Sequence, residues 1–231
     1  MTAEAKSVRY PIRLLRYWFG YQLLREECLR ARRPLSVAEI GVHTGQMFEF
    51  VESSPPGVTW SRWTAVDAVM LTDQLKAAGY TDFLEANLED PAFSLPGAYD
   101  CAILLHVLEH LSNPEEVVKK IAAAIAPGGS LIGGFPVLPS WLAPLRERKV
   151  RRTAAPMGHV SVFSPTRVRK MAQQAGLTVE FLSGAFLMRS KGSSLENSAA
   201  WMRLNLWWGR LFPAWPGEVY WLMRKPAASG D

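Results

Sequence analysis

From residue 35 onward, short apolar runs alternate with amphipathic segments, and this alternation constrains the fold more than any other feature of the chain. The apolar runs fall at 35–41, 62–67, 81–86, 99–106 and 129–135, with helix-like segments at 44–53, 71–78 and 114–125 between them. The run CAILLHVL, residues 101–108, is continuously apolar apart from His106. A strand covered on both faces of a parallel sheet reads this way, whereas a strand with one wet face alternates. Strands separated by helices need crossover connections, so the pattern predicts an α/β fold with an open parallel sheet and helices on both faces.

Local signals sharpen the element ends. Asn113 stands where it can cap the 114–125 helix, Pro114 suits the first helical position, and Glu115 and Glu116 complement the positive helix end. Pro127–Gly129 is expected to stop that helix and turn the chain. In SPTRVRKMAQQAG, Ser164 caps a further helix, Pro165 opens it and Gly176 closes it. LTVEFLSG then reads as a sixth strand and EVYWLMRKP as a seventh. Residues 185–217 between them are too many for a hairpin loop and predict a structured insertion, which holds Trp201, Trp207, Trp208 and Trp215. The run RERKVRR, 146–152, lies in the connection after the fifth strand and reads as a solvated loop or as a clamp on an anion.

Residues 1–34 form a separate N-terminal segment ahead of a domain over 35–231. Within it Ile12, Leu15, Trp18, Phe19, Leu23 and Cys28 recur near helical spacing with arginines between them. Two readings stay open for it: a helix packed on the domain, or a basic, aromatic-anchored helix on a membrane surface. Net charge divides along the chain: +5 over residues 1–33, −9 over 34–145 and +9 over 146–231. Basic flanks around an acidic middle point to an anionic partner for the flanks. The two cysteines, Cys28 and Cys101, make neither a disulfide framework nor a zinc spacing. With polar residues at 3–9 and no uncharged apolar stretch of about 18 residues, a cytoplasmic protein is expected, with peripheral contact at the inner membrane face left open.

In an open parallel sheet, ligands bind beyond the carboxyl ends of the strands. Those ends carry EIGVHTG with Glu39, Gly41, His43 and Gly45, TAVDAV with Asp67, LEANLED with Asn87 and Leu88, LLHVLEHL with His106, Glu109 and His110, and GGFPV. Glycines in the first loop allow a tight turn and close approach of a ligand to backbone. If the backbone at His43 adopts a positive φ, the side chain costs about 1 kcal/mol of strain.

These residues, in this order, resemble the class I S-adenosylmethionine-dependent methyltransferase family. The resemblance covers residues 35–183 and the last strand. It rests on Glu39, Gly41 and Gly45, on Asp67, on the pair Asn87–Leu88, on HVLEHLSNP followed by a helix and PGG, and on GHVSVFSPTRVRKMAQQAGLTV. It implies a Rossmann-like, mostly parallel sheet of seven strands with the last antiparallel, and S-adenosylmethionine as cofactor. It further implies that Glu39 organises the first loop near the amino acid end of the cofactor, that Gly41 and Gly45 let backbone approach it, and that Asp67 holds the ribose. Asn87 would meet the adenine amino group with Leu88 beside the ring, and His106 would lie near the methionine part. The departure is His43, where most members carry glycine; its side chain either crowds the cofactor arm, faces solvent or donates to the cofactor carboxylate.

The expected reaction is methyl transfer to oxygen or nitrogen of a small molecule, a lipid-linked intermediate or a glycan. The acceptor would lie against the basic, Trp-rich flanks. A hydroxyl acceptor needs a base, and an imidazole, which ordinarily titrates near pH ~6.5, makes His110 and His159 the candidates. Glu109 beside His110 gives two ligands, too few to expect a metal site. No RNA-binding module is recognisable, and nucleic acid is not expected as a partner. A binding module that kept the fold without the reaction is the alternative. A dinucleotide oxidoreductase would require G-x-G-x-x-G where this chain has G-x-x-x-G.

Overall fold

The computed structural model describes residues 11–153, 158–188 and 193–228. The first ten residues of the N-terminal segment thus lie outside the described residues. Helix α1, Pro11–Ala31, precedes strand β1, Leu35–Ile40. There follow α2 (Gln46–Glu52), β2 (Trp60–Asp67), α3 (Thr72–Ala78), β3 (Asp82–Glu85) and β4 (Tyr99–Leu105). A single 3₁₀ turn, Leu108–His110, leads to α4 (Pro114–Ala123) and β5 (Ile125–Val137). The chain then runs through α5 (Ala143–Thr153), α6 (Pro165–Gln174), β6 (Thr178–Gly184), α7 (Ala199–Leu211) and β7 (Gly217–Arg224).

The seven strands form one sheet in the order β3-β2-β1-β4-β5-β7-β6. The pairs β3–β2, β2–β1, β1–β4 and β4–β5 are parallel, and β7 runs antiparallel to both β5 and β6. The order reverses direction between β1 and β4, and the crevice beyond their carboxyl ends is the switch point where such sheets bind ligands. The apolar runs read as doubly covered strands are so: Val37, Ala38, Ala65, Val66, Ala102 and Leu104 are all fully buried. One cluster on one side of the sheet centres on Leu104, Ile121, Phe135 and Phe163, and another centres on Leu24, Phe48, Trp63 and Ile103.

Helix α1 turns its apolar face to the sheet. Leu15, Phe19, Leu23, Leu24 and Cys28 are buried, and Phe19 stacks on Tyr220 of β7 with ring centroids 4.3 Å apart. The buried carboxylate of Glu27 pairs with Arg224 of β7 and accepts from Ser130 Oγ at 2.8 Å. Arg224 and Ser130 together outweigh the cost of burial and hold this carboxyl below the usual carboxylate range. Of the two readings of the N-terminal segment, the packed helix is the one observed over 11–31, with Trp18 and Leu29 left exposed on its other side. No helix among the described residues is long and apolar enough to cross a membrane.

Three local expectations change. Pro127–Gly129 does not separate helix from strand. It lies within β5 as a bulge that shifts the register between Tyr99↔Ile125 and Cys101↔Ser130, with Gly128 at φ 76°. Such an extra-residue bulge bends a strand without ending it. Asn113 holds the N-cap position of α4 but makes no side-chain cap bond, whereas Ser164 Oγ accepts from Arg167 N at 3.3 Å. The RERKVRR run is helical, not a loop. Arginine, lysine and glutamate favour helix, and Glu147 with Arg151 forms an i,i+4 pair at 2.8 Å.

Candidate functional site

The loop after β1 is held in an unusual backbone path. Gly41, His43 and Gly45 have φ of 73°, 49° and 82°. At Gly41 a Cβ would come within 2.5 Å of Val107 Cγ2, so the close passage of this loop over the end of β4 requires glycine. His43 does occupy the left-handed region, and its exposed ring has Nδ1 3.3 Å from Thr44 Oγ1. Its backbone amide donates to Asp67 Oδ2 at 2.8 Å, while Asp67 Oδ1 accepts from Ala68 N at 2.7 Å. The carboxylate ending β2 is therefore the clasp of the first loop.

Beyond the ends of β1 and β4 lies a cavity of about 220 Å³. Glu39, Gly41, His43 and His106 line it, so four of the sequence-predicted residues converge there. Asp67 reaches its rim through His43. Gly45 sits behind the loop as the N-cap of α2. Asn87 and Leu88 are not among the lining residues. Asn87 Oδ1 accepts from Glu89 N at 3.0 Å and closes a local turn, and Leu88 is buried in the core.

Glu39 is buried, and both Trp63 Nε1 (3.0 Å) and Tyr80 Oη (2.7 Å) donate to its Oε2. Burial pushes its pKa up to about 7, those two donors opposing and the charge of Asp67 reinforcing the rise. Burial, with Glu39 alongside, also raises the Tyr80 phenol, which stays a donor. Reading the sequence did not find three further lining residues, Arg16, Tyr17 and Gln46. Tyr17 Oη donates to Gln46 Oε1 at 2.5 Å, closing α1 over α2. Arg16 Nε is buried and has no hydrogen-bond acceptor among the described residues. The arginine spacing of the N-terminal segment was the available signal, but only docking of α1 brings Arg16 to the cavity.

His106 follows β4 with φ 58° and its side chain is 12% exposed. Nδ1 lies 3.0 Å from Glu109 Oε1, and Nε2 lies 3.5 Å from Glu218 Oε2. These are ion-pair contacts, since neither Glu109 oxygen has an aligned donor among the described residues. Burial opposes the charged imidazole, but the two carboxylates outweigh it and raise the His106 pKa above the ordinary value. Glu218, also missed in the sequence, is brought to this point by the antiparallel register that sets Pro136 opposite it.

Glu109 connects the cavity to a second opening. A cleft of about 350 Å³ is lined by Glu109, Pro136, Arg146, His159 and Gly217, among others. At this cleft the rings of His110 and His159 meet edge to face with centroids 4.9 Å apart. Glu109, His110 and His159 each present a ligand-type atom within 4.8 Å of the others'. Sequence spacing offered only the first two; the loop after residue 157 supplies the third.

Comparison with known proteins bears on the family and the fold. A family model described as a methyltransferase domain matches residues 14–181, most of the chain. The ubiquinone biosynthesis O-methyltransferase of Chromobacterium violaceum is 29% identical over 110 residues, which are 45% of this chain and 47% of that protein. That of Vibrio parahaemolyticus is 28% identical over 109 residues, 44% of this chain and 46% of the relative. The matched portion thus spans about half the length of these curated relatives. Among solved structures, an S-adenosylmethionine-dependent methyltransferase from Mesorhizobium loti aligns over 91% of this chain and 98% of its own, with TM-score 0.62 and 15% identity. The N-methyltransferase NodS from Bradyrhizobium japonicum, in complex with S-adenosylhomocysteine, aligns over 95% of this chain and 90% of its own, with TM-score 0.55 and 18% identity. At these identities the likeness is one of fold.

Proposed function

Because this chain belongs to the class I S-adenosylmethionine-dependent methyltransferase family, we propose that it transfers a methyl group from S-adenosylmethionine to oxygen or nitrogen of a small-molecule or lipid-linked acceptor. The observation that carries the reading is the convergence of Glu39, Gly41, His43, His106 and Arg16 on one cavity at the β1/β4 switch point. The residues fit the cofactor's amino acid end. Arg16 has a buried donor in need of an acceptor, which a carboxylate provides, and the exposed backbone of the first loop has no side chain at Gly41 to block approach. Asp67 keeps lone pairs for hydroxyl donors at the rim, because each of its oxygens is only partly used by backbone amides. The His43 ring reads as facing solvent at the cavity edge rather than filling the arm's path.

When bound, the cofactor supplies an electrophilic methyl group on a sulfonium. The chain's part is then to hold the acceptor atom in line and exclude water. The cleft lined by Glu109 and His159 is read as the acceptor's place, since His106 and Glu109 join it to the cofactor cavity. For a hydroxyl acceptor, His110 or His159 takes the proton. Oxygen is the favoured atom, in keeping with the O-methyltransferase names of the curated relatives.

A second reading of the cleft has its own observation. Three ligand-type atoms within 4.8 Å suit a divalent cation, which would acidify the acceptor hydroxyl in place of a histidine base. Loss of turnover in a chelator, restored by a divalent ion, would favour the cation; indifference to chelator would favour the base.

Calorimetric titration with S-adenosylmethionine, S-adenosylhomocysteine and NAD tests the central claim. Micromolar binding of the first two that is lost in Asp67→Ala is the expected result. Absence of binding by the folded protein would overturn it in favour of a binding module without the reaction.

A further inference from the structure

We infer that the outward face of α7 is a docking face for the surface of an anionic lipid bilayer. The described parts of the insertion, 185–188 and 193–217, are tied to the sheet. Asn205 is buried and bonded at both ends of its amide: Oδ1 accepts from Leu187 N at 2.9 Å and Met188 N at 3.3 Å, and Nδ2 donates to Trp201 O at 2.8 Å. Gly209 lies so close to β6 that a Cβ there would stand 2.3 Å from the Gly184 carbonyl carbon. Trp215 Nε1 donates to Leu187 O at 2.7 Å. The inner face of α7 is therefore fixed against the sheet.

The opposite face is apolar and uncovered. Leu204, Trp207 and Leu211 recur at helical spacing and are 40%, 57% and 53% exposed, and Phe212 and Trp215 continue the stripe. The only charged side chains on α7 are Arg203 and Arg210, both exposed, and residues 197–217 contain no aspartate or glutamate. A helix with an outward apolar stripe, tryptophans and flanking arginines matches the interfacial region of a bilayer. Apolar side chains enter the acyl boundary there, and guanidinium groups reach anionic headgroups. Charge also argues against a second copy of this chain as the occupant, because apposed α7 faces would bring four arginines together without a carboxylate.

The face leads to the acceptor cleft. Pro216 and Gly217, directly after the stripe, line that cleft together with Arg146 of α5. Just before and within α5, Trp141 and Leu145 are exposed beside the arginines of the RERKVRR run. Both rims of the cleft thus carry the same combination of apolar and basic side chains. An acceptor held in a bilayer would enter from that side; this last step rests on the proposed methyl transfer, whereas the docking face does not.

The test is flotation of the full chain with phosphatidylcholine vesicles, with and without phosphatidylglycerol. Retention on the anionic vesicles is expected, falling about tenfold or more in Leu204→Gln/Trp207→Gln/Leu211→Gln and in Arg203→Gln/Arg210→Gln. Circular dichroism and S-adenosylmethionine titration on the same samples separate loss of docking from loss of fold or of cofactor binding. Equal retention of wild type and both variants, or none by the wild type, would overturn the inference. A dimer that ignores vesicles and dissociates in the triple variant would assign the face to a second copy instead.

Discussion

The backbone amide of His43 donates to Asp67 Oδ2 at 2.8 Å, so the carboxylate that ends β2 sets the path of the loop that ends β1. Asp67 is a structural acceptor inside the protein, and under the proposed function it also meets the cofactor at the edge of the cavity. Replacing it with alanine leaves the amides of His43 and Ala68 without this acceptor. A loss of about 1–2 kcal/mol of stability is expected, with S-adenosylmethionine affinity falling at least about tenfold. Asp67→Asn keeps one acceptor and should fall between wild type and alanine in both. Chemical denaturation and calorimetry on the three proteins would show whether the two effects travel together.

His43 carries φ 49°, a region that side chains avoid. His43→Gly relieves that strain but adds freedom to the unfolded chain, so a net stabilisation of up to about 1 kcal/mol is expected. Cofactor affinity should be kept, since the backbone amide, not the ring, engages Asp67. A marked gain in affinity would instead mean that the imidazole crowds the cavity.

Glu39 titrates near 7, above the ordinary carboxyl value of 4.5. The folded state therefore holds this proton more tightly than the unfolded state. The stability it lends is fully present below pH 4.5 and is lost as pH rises through about 7. Glu39→Gln should remove that slope, amounting to about 3 kcal/mol at the most. Unfolding free energies of both proteins at pH 5 and pH 8, compared as a difference, isolate Glu39 from the other titrating groups.

His106 lies between the buried carboxylates of Glu109 and Glu218, which favour its charged form. His106→Ala leaves two buried carboxylates without it, and a loss of about 3–5 kcal/mol is expected. Adding Glu109→Gln to that variant should recover part of the loss, because it removes one uncompensated charge. Its raised pKa also has a pH consequence: the stabilisation from His106 is complete below 6.5 and disappears as pH rises through the higher folded value. No recovery in the double variant would show that packing, not charge, holds this group of residues together.

Much of the fold was legible because strands buried on both faces leave a continuous apolar signature, as in CAILLHVL, and because helix starts such as Ser164–Pro165 are local. Local reading failed where a neighbour decided the outcome. Pro127–Gly129 looks like a stop, yet pairing with β4 and β7 carries the strand through it as a bulge. Asn113 has the chemistry of a cap, yet its side chain makes no such bond. The same division runs through the candidate site: Glu39, Gly41, His43 and His106 follow from strand ends, which sequence marks. Arg16, Tyr17 and Glu218 arrive from α1 and β7, elements far away in the chain.

The sequence alone determined the alternation of strands and helices, the family, and the loop that lies at the ends of β1 and β2, since each depends on residues near one another along the chain. Only the tertiary structure decided which helix keeps an apolar face exposed. The N-terminal segment and the Trp-rich insertion are both aromatic and basic, but α1 buries its stripe against Tyr220 and Arg224, whereas α7 buries Asn205 and Gly209, packs Met202 and Leu206 part way and leaves Trp207 outside. The physical reason is that burial is a property of both surfaces in a contact, and a sequence displays one surface at a time.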